Sequence, residues 1–322
     1  MEEKIKVRPA RTTEIPTIAR LVEKQLPDIM ADDDWPGNAE AKLQSLVLDK
    51  ALLLATRESR LAGLIALDLD HQRVLACYLD PEIASPDTPK ILFGGIEKVA
   101  LGYGIRRLRG LARKCVSGFM KSLGYTAASE DNNGSNHIKV TKNLLDQADE
   151  ETLNILRHCD ELGIPEDYGI VHRMPLVHSA ADLTTVGLDI YGREQRMLPA
   201  AAEALSKMRA AAYNVGIDLQ LVSAYRSMAY QTKIVRRKLD QGATMQQILR
   251  TSAAPGYSEH HSGRAVDLTA PGSRLLDEDF ANTKAYEWLK GNAGFFGFRE
   301  SYSRNNRHRI AWEPWHWYYF RG

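Results

Sequence analysis

Evenly paired cysteines, a membrane-length apolar run and a large net charge are all missing from this chain, and each absence narrows what it can be. The three cysteines, Cys77, Cys115 and Cys159, are odd in number, widely spaced and confined to the first half. That pattern fits reduced thiols better than a disulfide framework. Any metal site in the second half must then be built from histidines and carboxylates. The N-terminal stretch MEEKIKVRPARTTEI has no apolar run of signal-peptide length, and the longest early run, ALLLA at 51–55, is far short of a span. A cytoplasmic location without membrane insertion is the simplest expectation. The 42 Lys and Arg against 41 Asp and Glu leave a formal charge of +1, so no overall field draws nucleic acid or an anionic membrane. The basic run RRLRGLARK at 106–114 has no interleaved aromatics, and we read it as a solvated face.

At 322 residues the chain has room for two cores. Its first part alternates strand-like and helix-like stretches. IKVRPA (5–10) opens as a strand, and residues 14–26 put Ile15, Ile18, Leu21, Val22 and Leu26 on one helical face. ALLLATRESRLAGLIALDLD (51–70) reads as a hairpin with its turn near Glu58 to Arg60, followed by a strand at 73–81. A helix, a short strand at RRLRGLA, a second helix at RKCVSGFMKSLGY and a last strand or pair between Thr126 and Leu144 complete the series, with NNG (132–134) as a turn. The order resembles the GNAT acetyltransferase fold over residues 5–145. In that family a glycine-rich loop cradles the acetyl-CoA pyrophosphate on backbone N–H groups. Here the equivalent stretch, PEIASPDTPK (81–90), has no glycine, extra prolines that remove donors, and Asp87. Met120 stands where the family often has a tyrosine acid. A non-catalytic GNAT-like α/β domain over 1–145 is expected, and acetyl-CoA binding is not.

Residues 146–175 begin as a polar amphipathic helix and end in a loop punctuated by Pro and Gly, which we read as a linker.

The remaining residues, 176–322, contain three stretches rich in chemistry. GYSEHHSGRAVDL (256–268) enters a strand at Arg264 to Thr269 through Gly263, so Asp267 can face the same cleft as a histidine in the entering loop. On its own it is as readily a hydrogen-bonded His–Asp pair, and it leaves His260 and His261 interchangeable. AWEPWHWYYFRG (311–322) brings Glu313 and His316 three residues apart among tryptophans, which could equally be a plain core strand. SAYRSMAYQ (223–231) follows the strand-like IDLQLV and carries Arg226, whose planar fork suits a carboxylate.

In this order and spacing the three stretches resemble the LAS metallopeptidases, in particular the D-alanyl-D-alanine carboxypeptidase branch that includes the vancomycin-resistance carboxypeptidases. The pattern S-x-H-x-x-G-x-A-x-D aligns with Ser258, His260, Gly263, Ala265 and Asp267, and E-x-W-H with Glu313, Trp315 and His316. The resemblance implies zinc held by His260, Asp267 and His316, with Glu313 as catalytic base and His261 at a variable position. It implies that Arg226 binds substrate and stabilises the oxyanion, and that Ser223, Tyr225, Gln231 and Ser258 help hold the peptide. The implied fold class is α+β: the GNAT-like domain, then a LAS-type zinc peptidase domain with a small antiparallel sheet and flanking helices. The implied substrate is a muropeptide or peptidoglycan precursor peptide. The expected compartment favours an L,D-carboxypeptidase trimming murein tetrapeptides in recycling. A D,D-carboxypeptidase or D-Ala-D-Ala dipeptidase, a non-catalytic zinc-binding module and an active acetyltransferase with an accessory metal domain stay open as alternatives.

Overall fold

The computed structural model describes residues 4–29, 39–127 and 136–321, with side chains described outside 23–29. The chain divides into two compact units, with the boundary between Asp149 and Glu150.

In the first unit, strand β1 (Lys6–Pro9) and a short 3-10 turn lead into helix α1 (Ile15–Ile29), followed by α2 (Ala39–Leu48). Ile15, Ile18 and Val22 are buried, as their shared helical face demands; Leu26 lies outside the residues whose side chains are described. Then come β2 (Leu52–Arg57), β3 (Arg60–Asp68), β4 (Arg73–Leu79), α3 (Thr88–Gly102), β5 (Arg107–Arg113), α4 (Ser117–Ser122), β6 (Thr126–Ala127) and β7 (His137–Asn143). Among the described residues the sheet runs β1-β2-β3-β4-β5-β7-β6, and only β4 and β5 pair in parallel. The expected hairpin closes through Glu58 (φ 50°) and Ser59 (φ 65°), the left-handed pair that matches strand twist in a two-residue turn. The NNG turn lies outside the described residues. Strand β5 alternates buried Leu108 and Ala112 with exposed Arg107, Arg109 and Arg113. Met120 is buried.

The loop from 80 to 90 consumes its own donors. Asp80 Oδ1 accepts from the N–H groups of Glu82 (2.9 Å) and Ile83 (3.1 Å), and Thr88 Oγ1 accepts from Ser85 N (2.8 Å). Ala84 N is bonded to Asp80 O at 2.9 Å.

The second unit contains α5 (Glu150–Glu161), α6 (Tyr168–Val171), β8 (Thr184–Leu188), β9 (Glu194–Met197), α7 (Pro199–Tyr213), β10 (Gln220–Ser223), α8 (Met228–Asp240), α9 (Met245–Thr251), β11 (Ala265–Thr269), α10 (Lys284–Asn292), β12 (Phe298–Glu300) and β13 (His316–Tyr319). Strands β8 and β9 form a separate hairpin, while the small antiparallel sheet has the order β10-β11-β13-β12. This is the mixed α+β class that the sequence led us to expect.

Residues 150–174 do not behave as a linker. Ile155, Cys159, Ile164, Tyr168 and Met174 are buried in one cluster with Leu249, Ala253, Tyr257, Tyr302 and Ile310. The polar positions that made the segment look like a connection are the outer face of a packed helix, and its apolar stripe is core.

Alternation along the sheet separates core from site. On β11, Val266 and Leu268 enter a core with Leu205, Met208, Phe280, Leu289 and Trp317. The residue between them, Asp267, is on the other face, and its register partner on β13 is His316. A slip of one residue would drive Asp267 into that apolar core, so the register is strongly held.

Candidate metal centre and catalytic cleft

The site forms where β11, β13 and the turn before β11 meet. Asp267 has Ser223 of β10 as register partner on one side and His316 of β13 on the other. Direct cross-strand neighbours stand about 5 Å apart at Cβ, which is close enough for their polar ends to share one ion. His260 arrives from a 3-10 turn, Glu259–Ser262, that ends on Gly263 at φ 66°. A Cβ at Gly263 would meet Leu183 Cδ2 at 2.8 Å and Leu198 N at 3.1 Å, so both the backbone conformation and the space call for glycine.

The two adjacent histidines have different fates. His261 uses both ring nitrogens internally: Nδ1–H donates to Arg226 O (2.6 Å) and Nε2 accepts from Gly256 N–H (3.1 Å). His260 donates Nδ1–H to Ala224 O at 2.5 Å, while its Nε2 is buried with no hydrogen-bond partner. That orphaned Nε2 lies 3.3 Å from Asp267 Oδ1, and His316 Nδ1 lies 2.9 Å from the same oxygen. Ligand atoms of His260, Asp267 and His316 all fall within 4.8 Å of one another, and all three residues are buried. Two imidazoles and one carboxylate, with an unpartnered nitrogen aimed at the shared oxygen, fit a zinc ion that keeps its fourth position open. Burial, helped by the nearby Arg226 charge, lowers His260 to about 4, so it is the neutral ligand a metal needs.

Electrostatics around His316 are reversed. Burial alone would lower its pKa, but hydrogen bonds to Asp267 and Glu259 outweigh that and raise it to about 10. Its Nε2 donates to Glu259 Oε2 at 2.9 Å, and Ser301 Oγ donates to the same oxygen at 2.6 Å. Glu259 thus orients the ring from behind, as carboxylates commonly do for metal-binding histidines. Asp267 is held well below the usual carboxylate range: desolvation opposes ionisation, and His260, His316 and Arg226 together overcome it.

Reading the sequence missed Glu259, and also Tyr302, whose ring stacks on His316 (centroids 4.6 Å apart, planes at 17°). The buried hydroxyl of Tyr302 has no partner among the described residues. Glu259 had a weak signal, a carboxylate beside the ligand histidine; Tyr302 had none, because its role depends on distant chain.

A cleft of about 960 Å³ opens onto this centre and is lined by Ser223, Arg226, Gln231, Ser258, His260, Asp267 and Glu313, among others. Gln231 donates to Ala253 O (2.8 Å) and leaves its buried Oε1 unpartnered, as is Arg226 Nε. Tyr225 is absent from the cleft wall; its backbone N–H is bonded to Arg196 O of β9. Glu313 precedes β13 in a turn closed by His316 N to Glu313 O (3.0 Å). Loss of water raises its pKa to about 7, the nearby His316, Arg226 and Lys238 charges only partly offsetting this.

Residues 194–322 match the family model described as VanY, D-alanyl-D-alanine carboxypeptidase. Over 119 residues the chain is 34% identical to the putative carboxypeptidase YodJ of Bacillus subtilis, covering 36% of this chain and 43% of that protein. It spans about two fifths of the length of the curated relatives it matches. Among solved structures, the LdcB LD-carboxypeptidase is 30% identical with a TM-score of 0.41, over 44% of this chain and 69% of that one. An N-acetylglutamate synthase from Neisseria gonorrhoeae, 21% identical with a TM-score of 0.36, is also similar, over 45% of this chain and 36% of that one. The C-terminal half of the chain therefore carries a domain of the VanY D-alanyl-D-alanine carboxypeptidase family.

Proposed function

We propose that the protein is a zinc-dependent carboxypeptidase that removes C-terminal D-alanine from peptidoglycan-derived peptides. The observation that carries this reading is the convergence, in one cleft, of a two-histidine, one-carboxylate cluster with Glu313 and Arg226. The VanY match and the names of the relatives agree with it.

His260, Asp267 and His316 would hold the metal, which when bound supplies a Lewis acid for the scissile carbonyl and lowers the pKa of water. The chain's own residues do the rest. Glu313, held near neutrality, takes a proton from the attacking water and returns it to the leaving amine. Arg226 offers charge-assisted donors to a substrate carboxylate or to the negative charge that develops on the carbonyl oxygen. Ser258, Ser223 and the unpartnered Gln231 Oε1 supply polar contacts for the peptide. None of Cys77, Cys115 and Cys159 is in a disulfide, in keeping with a reducing, cytoplasmic compartment. Soluble tetrapeptides are the substrates to be met there, so we favour the L,D bond.

The test is incubation with purified tetrapeptide and pentapeptide, with and without chelator, followed by mass. Loss of one alanine from tetrapeptide, stopped by chelator, is expected. Cleavage of pentapeptide alone would sink the L,D choice, and cleavage of neither the whole reading.

We further propose that the N-terminal unit does not use acetyl-CoA, because the 80–90 loop spends its N–H groups on Asp80 and Thr88. Calorimetric titration with acetyl-CoA should give no heat of binding.

A further inference from the structure

Beyond the catalytic residues, one wall of the cleft carries charge that the reaction does not need. Helix α8 lines it with Tyr230, Lys233, Ile234 and Arg237. Their spacing of three and four residues puts them on a single helical face. Lys233 and Arg237 are exposed, and neither has a carboxylate partner among the described residues. Lys238, also on the wall, donates to the hydroxyls of Thr251 (3.1 Å) and Ser252 (2.7 Å), and its charge acts on Glu313, so it is set apart from Lys233 and Arg237. The cleft is also lined by Asp277, which is engaged with Arg274 (3.6 Å) and with the N–H of Asp279 (2.9 Å), and by the exposed Glu278, which forms no ion pair with Lys233 or Arg237 among the described residues. Lys233 and Arg237 also stand at i and i+4, where like charges on a helix repel. An unneutralised, self-repelling pair facing a substrate cleft is relieved by an anionic ligand.

Position along the helix says which part of a ligand that is. Gln231, with its unpartnered Oε1, lines the same cleft as Ser258, His260 and Asp267. At 1.5 Å rise per residue, Arg237 lies roughly 9 Å further along the helix axis, the span of about three extended peptide residues.

We propose that α8 is an anion-reading subsite: Lys233 and Arg237 select peptides bearing free side-chain or α-carboxylates within about three residues before the scissile bond, in addition to the terminal carboxylate. The proposal rests on the D-alanine carboxypeptidase reading and names its substrate class more narrowly.

Two tetrapeptides ending in D-alanine provide the test, identical except that the preceding residue is diaminopimelate or lysine, which differ only by one carboxylate. Two exposed ion pairs predict a preference of roughly two- to thirty-fold in kcat/KM for the diaminopimelate peptide, carried by KM and shrinking with added salt. The Lys233→Glu/Arg237→Glu protein should lose or reverse it. Equal kcat/KM for both peptides in the wild type at low salt, or an undiminished preference in the double variant, would overturn the proposal. Calorimetry on full-length Glu313→Ala protein with the same peptides reads the selection without turnover. Charge-selective binding with no hydrolysis by the wild type would defeat the carboxypeptidase reading and leave this one standing.

Discussion

At the scale of single residues, which atom is left unpaired decides the chemistry. His260 and His261 are chemically identical neighbours, but His261 has a donor and an acceptor for its two nitrogens, and His260 has a partner for only one. Glu313→Ala should keep the metal and lose turnover by about 100-fold or more, as expected for removal of a general base. His316→Ala should lose both, because it deletes a ligand. Metal content of the purified variants, measured beside peptide hydrolysis, separates the two; a Glu313→Ala protein that hydrolyses peptide at the wild-type rate would refute the assignment. The same base sets the pH dependence. Glu313 works only when ionised, and its pKa is raised from 4.5 to about 7. The acid limb of kcat/KM should therefore fall as pH drops through about 7, or lower where a bound cation stabilises the carboxylate. Removing the Lys238 charge, which helps keep Glu313 ionised, should move that limb upward in a Lys238→Met pH profile.

At the scale of elements, the site depends on two devices that act together: sheet register and one left-handed turn. The pairing of Asp267 with His316 follows from β11 and β13, whose inward residues Val266 and Trp317 pack the core and so hold the outward ones in place. His260 reaches them only because Gly263 takes φ 66°. Gly263→Ala should cost at least about 2 kcal/mol, from the left-handed conformation and the contact with Leu183 and Leu198 N. It should also weaken metal binding by displacing His260. Thermal denaturation with metal titration checks both, and an alanine variant as stable as the wild type would show that the turn is not under that constraint. These elements were largely readable in advance. The β2–β3 hairpin, the face of α1, the strand at 264–269 and the glycine before it follow from local periodicity and turn chemistry. Tyr225 was not readable: it shares a motif with Ser223 and Arg226, but whether it reaches the cleft depends on the neighbouring hairpin, which takes its backbone N–H at Arg196 O.

At the scale of the whole molecule, the division of the chain is the main revision. Local composition put the start of the catalytic unit at residue 176, whereas its second core extends back to α5 and α6. A fragment beginning at Glu150 should fold and bind metal. One beginning at residue 176 should be severely destabilised, because it strips the covering from Leu249, Tyr257 and Tyr302 at about 2 kcal/mol or more for each large side chain exposed. Circular dichroism melts of the two fragments make the comparison, and equal stability would refute the importance of that core. Tyr302 connects this prediction to the site: it belongs to the same cluster and stacks on His316, so loss of α5 and α6 should also disturb the metal centre.

The sequence by itself determined the ligand types, the three motifs and their order, because metal and acid–base chemistry restrict which side chains can serve. It also offered the strand at 264–269 with Asp267 able to face a cleft, while the pairing that puts Trp317 on the opposite face came from the structure. Tertiary structure alone decided which histidine nitrogen stays free, that Glu259 braces His316, and that α8 turns uncompensated cations toward the cleft. Those outcomes depend on hydrogen-bond partners tens of residues away, such as Ala224 for His260 and Asp267 for His316, and long-range partnership leaves no local period or spacing to read.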